Sequence, residues 1–310
     1  MKIEDCKLLI ISGPTATGKT ALALKLAKKF NGVLISADSR QIYIGMDIGT
    51  GKDKPKNIPI HLIDIISPNQ SFSVAQYQRL VFPLIKKIHS QKKLPIIVGG
   101  TGQYIDSIIN PDKSTYSIHP NKLLRFFLNK LSTPTLQKIY RFINRRAFDS
   151  LNNSDKNNPH RLIRKIEIKL SSKKIDSRSK PEDCRLKAED CPHLLHLSLT
   201  APNSYLYSRI NTRVQKRLNL GLLGEIKKLL KNYSWNSPGL NTLSYKEFKP
   251  YFNQKSTLPE TISKWTFDEH AYARRQKTWF KKMPNTIFID ITQTNYSQLV
   301  VKYVTKFLNQ

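Results

Sequence analysis

Between an apolar run, Lys7–Ser12, and a run of strong helix formers over 21–30 lies Gly13-Pro-Thr-Ala-Thr-Gly18-Lys19-Thr20. The spacing G-x-x-x-x-G-K-T, set between a strand and a helix, specifies a loop that wraps its backbone N–H groups around phosphate oxygens. The helix N-terminus that follows adds a favourable dipole. Gly13, Pro14, Thr15, Ala16, Thr17, Gly18, Lys19 and Thr20 are therefore the candidate diphosphate ligands. Lys19 supplies a cation, and the Thr20 hydroxyl is the candidate ligand for a phosphate-bound Mg2+. The loop alone leaves open whether the anion is a nucleotide or another diphosphate.

Residues 33–36, 94–98, 193–199 and 286–290 read as further buried strands, and 71–89 as a helix kinked at Pro83. Strands alternating with helices predict an α/β fold, a P-loop NTPase-like doubly wound parallel sheet. From about Asn110 the pattern changes to basic helices over 122–131, 135–148 and 159–170, joined by loops rich in Asn, Ser, Asp and Lys. The expected organisation is a catalytic core of residues 1–112 and 193–310 with a helical, basic insertion over 113–192. Two more helices are expected, at 203–220 and 268–282. On the first of them Arg209, Arg213 and Arg217 recur at every fourth residue and line one face.

Fifty-two Lys and Arg against 22 Asp and Glu leave +30 over 310 residues, which favours a polyanionic partner such as nucleic acid. A plain compositional bias toward Lys competes with that reading. No apolar run reaches membrane-spanning length and the N-terminus lacks a signal pattern, so a cytoplasmic protein with no membrane partner is expected. Cys6, Cys184 and Cys191 match no zinc spacing, which predicts a reducing compartment and no structural metal. A monomer is expected.

Asp38 falls just past the second strand, at the edge where open parallel sheets gather ligand groups. A carboxylate beside a phosphate loop can take a proton from a nucleophile; the competing role is a helix cap or an outer Mg2+ contact. No later strand ends in the lone acid of a motor or GTPase, and no guanine-reading Asn/Thr-Lys-x-Asp occurs. A small-molecule or nucleotide kinase stays open on these residues.

Seven stretches in order carry a resemblance: Gly13 to Thr20, Ser36 to Tyr43 with Gly45 to Thr50, His61 to Asp64, Gly99 to Tyr104, Arg213 to Glu225, Ser244 to Glu247 and Tyr272 to Phe280. Together they resemble the motif set of bacterial tRNA dimethylallyltransferases. The resemblance implies transfer of a dimethylallyl group from dimethylallyl diphosphate to N6 of the tRNA adenosine immediately 3′ of the anticodon, with Mg2+ assisting. It implies that Asp38 accepts the amine proton, that Thr101 lies in the reaction channel, and that Asp38, Ser39, Arg40 and Gln41 grip the flipped adenosine. It further implies tRNA contacts at Arg125, His160, Arg161, Leu162, Ile163 and Arg164. Arg209 and Arg213 join the diphosphate set, with Arg217 undecided. Three departures stand out: an extra residue in Gly51-Lys52-Asp53-Lys54-Pro55, Ile60 in place of a histidine, and Ser244 where glycine is usual. None removes a group the chemistry needs.

Overall fold

Apolar runs without polar alternation must be covered on both faces, which suits parallel strands flanked by helices. Six such strands form one parallel sheet: β1 (Lys7–Ser12), β2 (Gly32–Ser36), β3 (Ile60–His61), β4 (Leu94–Gly99), β5 (His193–Thr200) and β6 (Thr286–Asp290), in the order β3-β2-β4-β1-β5-β6. The computed structural model describes residues 7–55, 58–111, 118, 120–172 and 193–310. Cys6, Cys184, Cys191 and parts of the expected insertion lie outside them. The chain divides into two compact units, Met1–Ile109 with Arg185–Gln310, and Asn110–Cys184.

The helices of the first unit are α1 (Lys19–Lys29), α2 (Val74–Ser90), α3 (Gly102–Ile109), α9 (Asn203–Asn219), α10 (Leu222–Leu230), α11 (Lys249–Phe252), α12 (Leu258–Phe280) and α13 (Tyr296–Asn309). Those of the second are α4 (Lys122–Leu128), α5 (Thr133–Ile143), α6 (Arg145–Asp149), α7 (Asn153–Lys156) and α8 (Pro159–Ser172). Leu9, Ile11, Leu34 and Leu199 pack under α1 and α13, while their alternating neighbours Leu8, Ile10 and Ile35 pack under α2 and α3. A third cluster, including Tyr43, Ile210, Val214, Tyr245 and Trp265, joins the loop after β2 to α9, α10 and α12.

Two expected helices have other bounds. The helix expected over 135–148 is two, because Asn144 leaves helical geometry (φ −155°, ψ 77°) and its side chain accepts from Ala147 N at 3.3 Å to cap α6. The helix expected at 268 begins ten residues earlier, where Thr257 and Glu260 form a capping box. The segment α2 continues through Pro83 from a Ser73–Gln76 capping box. Strand β3 and helices α3, α7, α10, α11 and α13 were not anticipated. Among the described residues no helix is long and apolar enough to cross a membrane, and no cluster of three or more His, Cys, Asp or Glu could hold a metal.

Strand register decides where the chemistry gathers. Ser12 lies beside Gly99 and Ser36 beside Val98, so β1, β4 and β2 end level with one another. The loop from Gly13, the turn at Gly100–Thr101 and Asp38 therefore leave one carboxyl edge side by side.

Candidate active site at the carboxyl edge of the sheet

The phosphate loop can leave β1 only because residue 13 is glycine: its φ is +141°, and a Cβ there would lie 2.5 Å from the Leu199 carbonyl oxygen of β5. Inside the loop, Thr17 Oγ1 donates to Pro14 O (2.8 Å) and Arg209 Nε donates to Ala16 O (2.7 Å). Gln276 of α12 staples the loop to β4, accepting from Thr15 N and donating to Gly100 O, each at 2.8 Å. Gln276 was visible in the sequence only as part of a motif; its role follows from the fold.

A cavity of about 700 Å³ opens beside this loop, lined among others by Thr15, Lys19, Thr20, Asp38, Arg40, Asp53, Arg209, Arg213 and Arg217. Lys19 is half-buried on the cavity wall and donates to Pro14 O at 2.9 Å. Burial lowers its pKa to about 8; Arg213 and Arg40 act in the same direction, while Asp38 and Asp53 oppose them. Arg213 Nη1 donates to Thr15 Oγ1 at 2.9 Å, which places its guanidinium against the loop.

Asp38 Oδ1 accepts from Arg40 N at 3.0 Å and lies 4.0 Å from Arg40 Nε. Thr101 Oγ1 accepts from Ser39 N (2.9 Å) and donates to Ser39 Oγ (3.2 Å), so its hydroxyl braces the turn that carries Asp38. Gln41 donates to Gly51 O at 3.4 Å. Arg40 points inward: its guanidinium stacks on the Tyr272 ring, 4.3 Å from the centroid, and faces Glu269 at 3.8 Å. Its Nε and Nη1 are buried without hydrogen-bond partners.

The loop after β2 is pinned by a residue without a role assigned from sequence. The Glu225 carboxylate accepts from the backbone N–H groups of Asp47 (2.8 Å), Ile48 (2.7 Å) and Gly49 (3.0 Å) and from Tyr245 Oη (2.7 Å). Ion pairs tie residues 51–55 to the loop after β2 and to Asp64. Lys52, fully enclosed, bonds Asp47 at 2.9 Å and Asp64 at 2.5 Å, and Lys54 reaches the other oxygens of both at 2.9 and 2.8 Å.

In the second unit the expected RNA-contacting stretch has two kinds of residue. Leu162 and Ile163, at 0% and 4% exposure, are core side chains packed with Leu136, Tyr140 and Phe148, so any contact with RNA at these two positions is left to the backbone. His160 is exposed, and Arg161 reaches Asp155 at 2.7 Å from an open surface. Arg125 and Arg164 instead grip Glu167, whose side chain is wholly buried: Arg125 donates through Nε (3.0 Å) and Nη2 (2.7 Å), and Arg164 through Nη1. Burial raises the Glu167 pKa, but these arginines and the Asn121 N–H outweigh it and hold the carboxyl below its usual range. Arg125→Ala is expected to destabilise this unit by about 1–3 kcal/mol, because a buried carboxylate loses its bidentate partner. Arg161→Ala, an exposed pair, is expected to change stability by less than about 0.5 kcal/mol. Thermal unfolding of the two variants checks the contrast; equal melting points would mean that Glu167 does not depend on Arg125 and that Arg164 and the Asn121 N–H suffice.

Comparison with known proteins adds to this geometry. The IPP transferase family matches residues 41–283. The chain is 37% identical over 311 residues to the tRNA dimethylallyltransferase of Roseiflexus sp. strain RS-1, covering 97% of this chain and 99% of that protein. Its fold is similar to the full-length tRNA isopentenylpyrophosphate transferase of Bacillus halodurans, with a TM-score of 0.72, 34% identity, and 98% and 97% of the two chains covered. It is similar also to a eukaryotic dimethylallyltransferase acting on tRNA, with a TM-score of 0.79, 26% identity, and 98% and 79% covered.

Proposed function

We infer the activity of this chain from one premise, that it belongs to the IPP transferase family: it is a tRNA dimethylallyltransferase. The donor is dimethylallyl diphosphate and the acceptor is N6 of the adenosine 3′ of the anticodon. The observation that carries the chemical reading is that Lys19 and Asp38 line one cavity at the carboxyl edge of the sheet. A phosphate loop and a candidate base there serve a single transfer.

In this reading the diphosphate lies against the loop of residues 13–20 and the N–H groups that open α1, with Lys19, Arg209 and Arg213 countering the charge that builds on it as the allylic C–O bond breaks. The adenine amine is a poor nucleophile, and Asp38 takes its proton as the C–N bond forms. Pyrophosphate leaves. Thr101 holds the Asp38 turn, and a loop base must leave its stack to reach this recess. Arg161 and His160 are the surface residues of the second unit offered to the RNA backbone. The Thr20 hydroxyl and the Asp53 carboxylate, both on the cavity wall, suit an oxygen-seeking divalent ion. They would hold Mg2+, which would neutralise part of the leaving-group charge. A cytoplasmic monomer completes the proposal, since tRNA is met there.

Incubation with unmodified tRNA and labelled dimethylallyl diphosphate or labelled ATP tests the reading: prenyl label is expected on the RNA. Phosphate label moving from ATP to a small molecule, with no prenyl transfer, would return the chain to the kinase class.

Lys19 also gives the reaction a pH signature. Diphosphate binds the protonated amine, and with a pKa of about 8 the free enzyme loses that proton as pH rises through 8. The Kd for pyrophosphate is therefore expected to be flat below pH 7.5 and to rise by up to about tenfold per pH unit above 8. Calorimetric titration between pH 7 and 9.5 measures it. A flat profile to 9.5 would show that Lys19 does not titrate in this range.

A further inference from the structure

Arg217 closes the α9 stripe, and unlike Arg209 it is buried, at 5% exposure. Its guanidinium meets that of Arg213 at Gly51: a Cβ on Gly51 would lie 2.4 Å from Arg217 Nη2 and 2.3 Å from Arg213 Nη2. Both residues line the phosphate-loop cavity. Two cations at one point repel each other, so the inner one must be held.

Glu269 of α12 holds it. Arg217 Nη1 donates to Glu269 Oε1 at 3.2 Å and to Ser244 Oγ at 3.4 Å. Ser244 Oγ donates to Glu269 Oε1 at 3.0 Å and accepts from Trp265 Nε1 at 2.9 Å. Ser244 has φ +80°, a backbone conformation that glycine adopts without strain and serine does not. The hydroxyl gives a reason for serine, since it accepts from two N–H groups and donates to a carboxylate. Burial and the neighbouring Arg213 both lower the Arg217 pKa, and Glu269 opposes them, keeping the guanidinium charged. Lys19, Arg40, Arg209, Arg213 and Arg217 then face Asp38, Asp53, Glu247 and Glu269 in this cluster, an excess of one cation that an anion would balance.

We propose that Glu269 and Ser244 are positioning residues that hold Arg217 beside Arg213 as an additional cation for the diphosphate. The proposal rests on the reading of the cavity as a diphosphate site.

Pyrophosphate titration of the full chain, paired with melting midpoints and with KM for each substrate, tests it. Glu269→Gln is expected to raise the pyrophosphate Kd at least about tenfold, the scale of one charge-assisted hydrogen bond. KM for dimethylallyl diphosphate should rise in parallel and KM for tRNA should stay. Ser244→Gly should weaken pyrophosphate binding without lowering the melting midpoint, because losing the hydroxyl is offset by a relaxed backbone. The double variant Arg217→Met, Glu269→Gln removes both ends of the buried pair and leaves only Arg40 without its carboxylate, so it should melt above Glu269→Gln yet bind pyrophosphate no better than it does. Wild-type-like pyrophosphate affinity in the folded double variant would overturn the proposal and leave the pair a structural one. If the wild-type chain itself binds no pyrophosphate, the diphosphate reading fails and this proposal with it.

Discussion

Asp38→Asn is expected to cut single-turnover transfer by about 10²–10⁴-fold, the usual contribution of a positioned base. The carboxylate follows β2 into the cavity that Lys19 also lines, and its Oδ1 is engaged by the Arg40 N–H at 3.0 Å. Asparagine can still accept that bond, so the turn and the brace from Thr101 should survive while the proton acceptor is lost. Affinity for pyrophosphate should stay within about twofold of wild type, since the P-loop contacts are made by other residues. The measurement is single turnover at saturating tRNA and saturating dimethylallyl diphosphate, which separates the chemical step from binding. Asp38→Ala should add a second defect, weaker binding of the flipped adenosine, because the amine loses its acceptor. A near-normal rate for Asp38→Asn would move the residue to positioning and make the departing pyrophosphate or water the proton acceptor.

What could be read in advance divides by the range of the interactions involved. The phosphate loop is legible because its glycines, lysine and threonine act within eight consecutive residues, and Asp38 because a strand end announces where it will emerge. Most of the sheet is legible because strands such as β1 and β4 are continuous apolar runs, whereas the two-residue β3 carries no such signal. The residues that fix the site are different. Gln276 reaches Thr15 across 261 positions, Glu225 reaches Asp47 across 178, and Glu269 reaches Arg217 across 52. Each is one polar residue on an otherwise ordinary helix, and no local period distinguishes it from a solvated one. Within the stretch 160–164 the division of labour was not legible for a related reason: a motif gives consecutive residues, but on α8 Leu162 and Ile163 turn into the core while Arg161 turns out. The early start of α12 was within reach, since Thr257 and Glu260 have capping-box spacing.

Lys19→Met is expected to make the protein more stable and nearly unable to bind its donor. Burial moves the Lys19 pKa from 10.5 to about 8, so at neutral pH the folded state holds a cation that water would solvate better. That shift corresponds to a cost of roughly 3 kcal/mol. The sign follows from linkage: between pH 8 and 10.5 the unfolded chain binds the extra proton, so stability rises with pH there, and the cost is fully present below 8. Methionine has a similar shape without the charge, and its sulfur needs no partner where the amine donated to Pro14 O. The melting point should therefore increase at pH 7, and the increase should shrink as pH approaches 10. Pyrophosphate affinity should fall by about 10²–10³-fold, because a half-buried cation facing a phosphate is worth several times a solvated one. Affinity for tRNA should change little, as Lys19 lies within the phosphate loop. Parallel melting curves and pyrophosphate titrations of the two proteins from pH 7 to 10 decide it. A variant that melts lower than wild type at pH 7 would show that the amine stabilises the loop, and the cost assigned to its burial would be wrong.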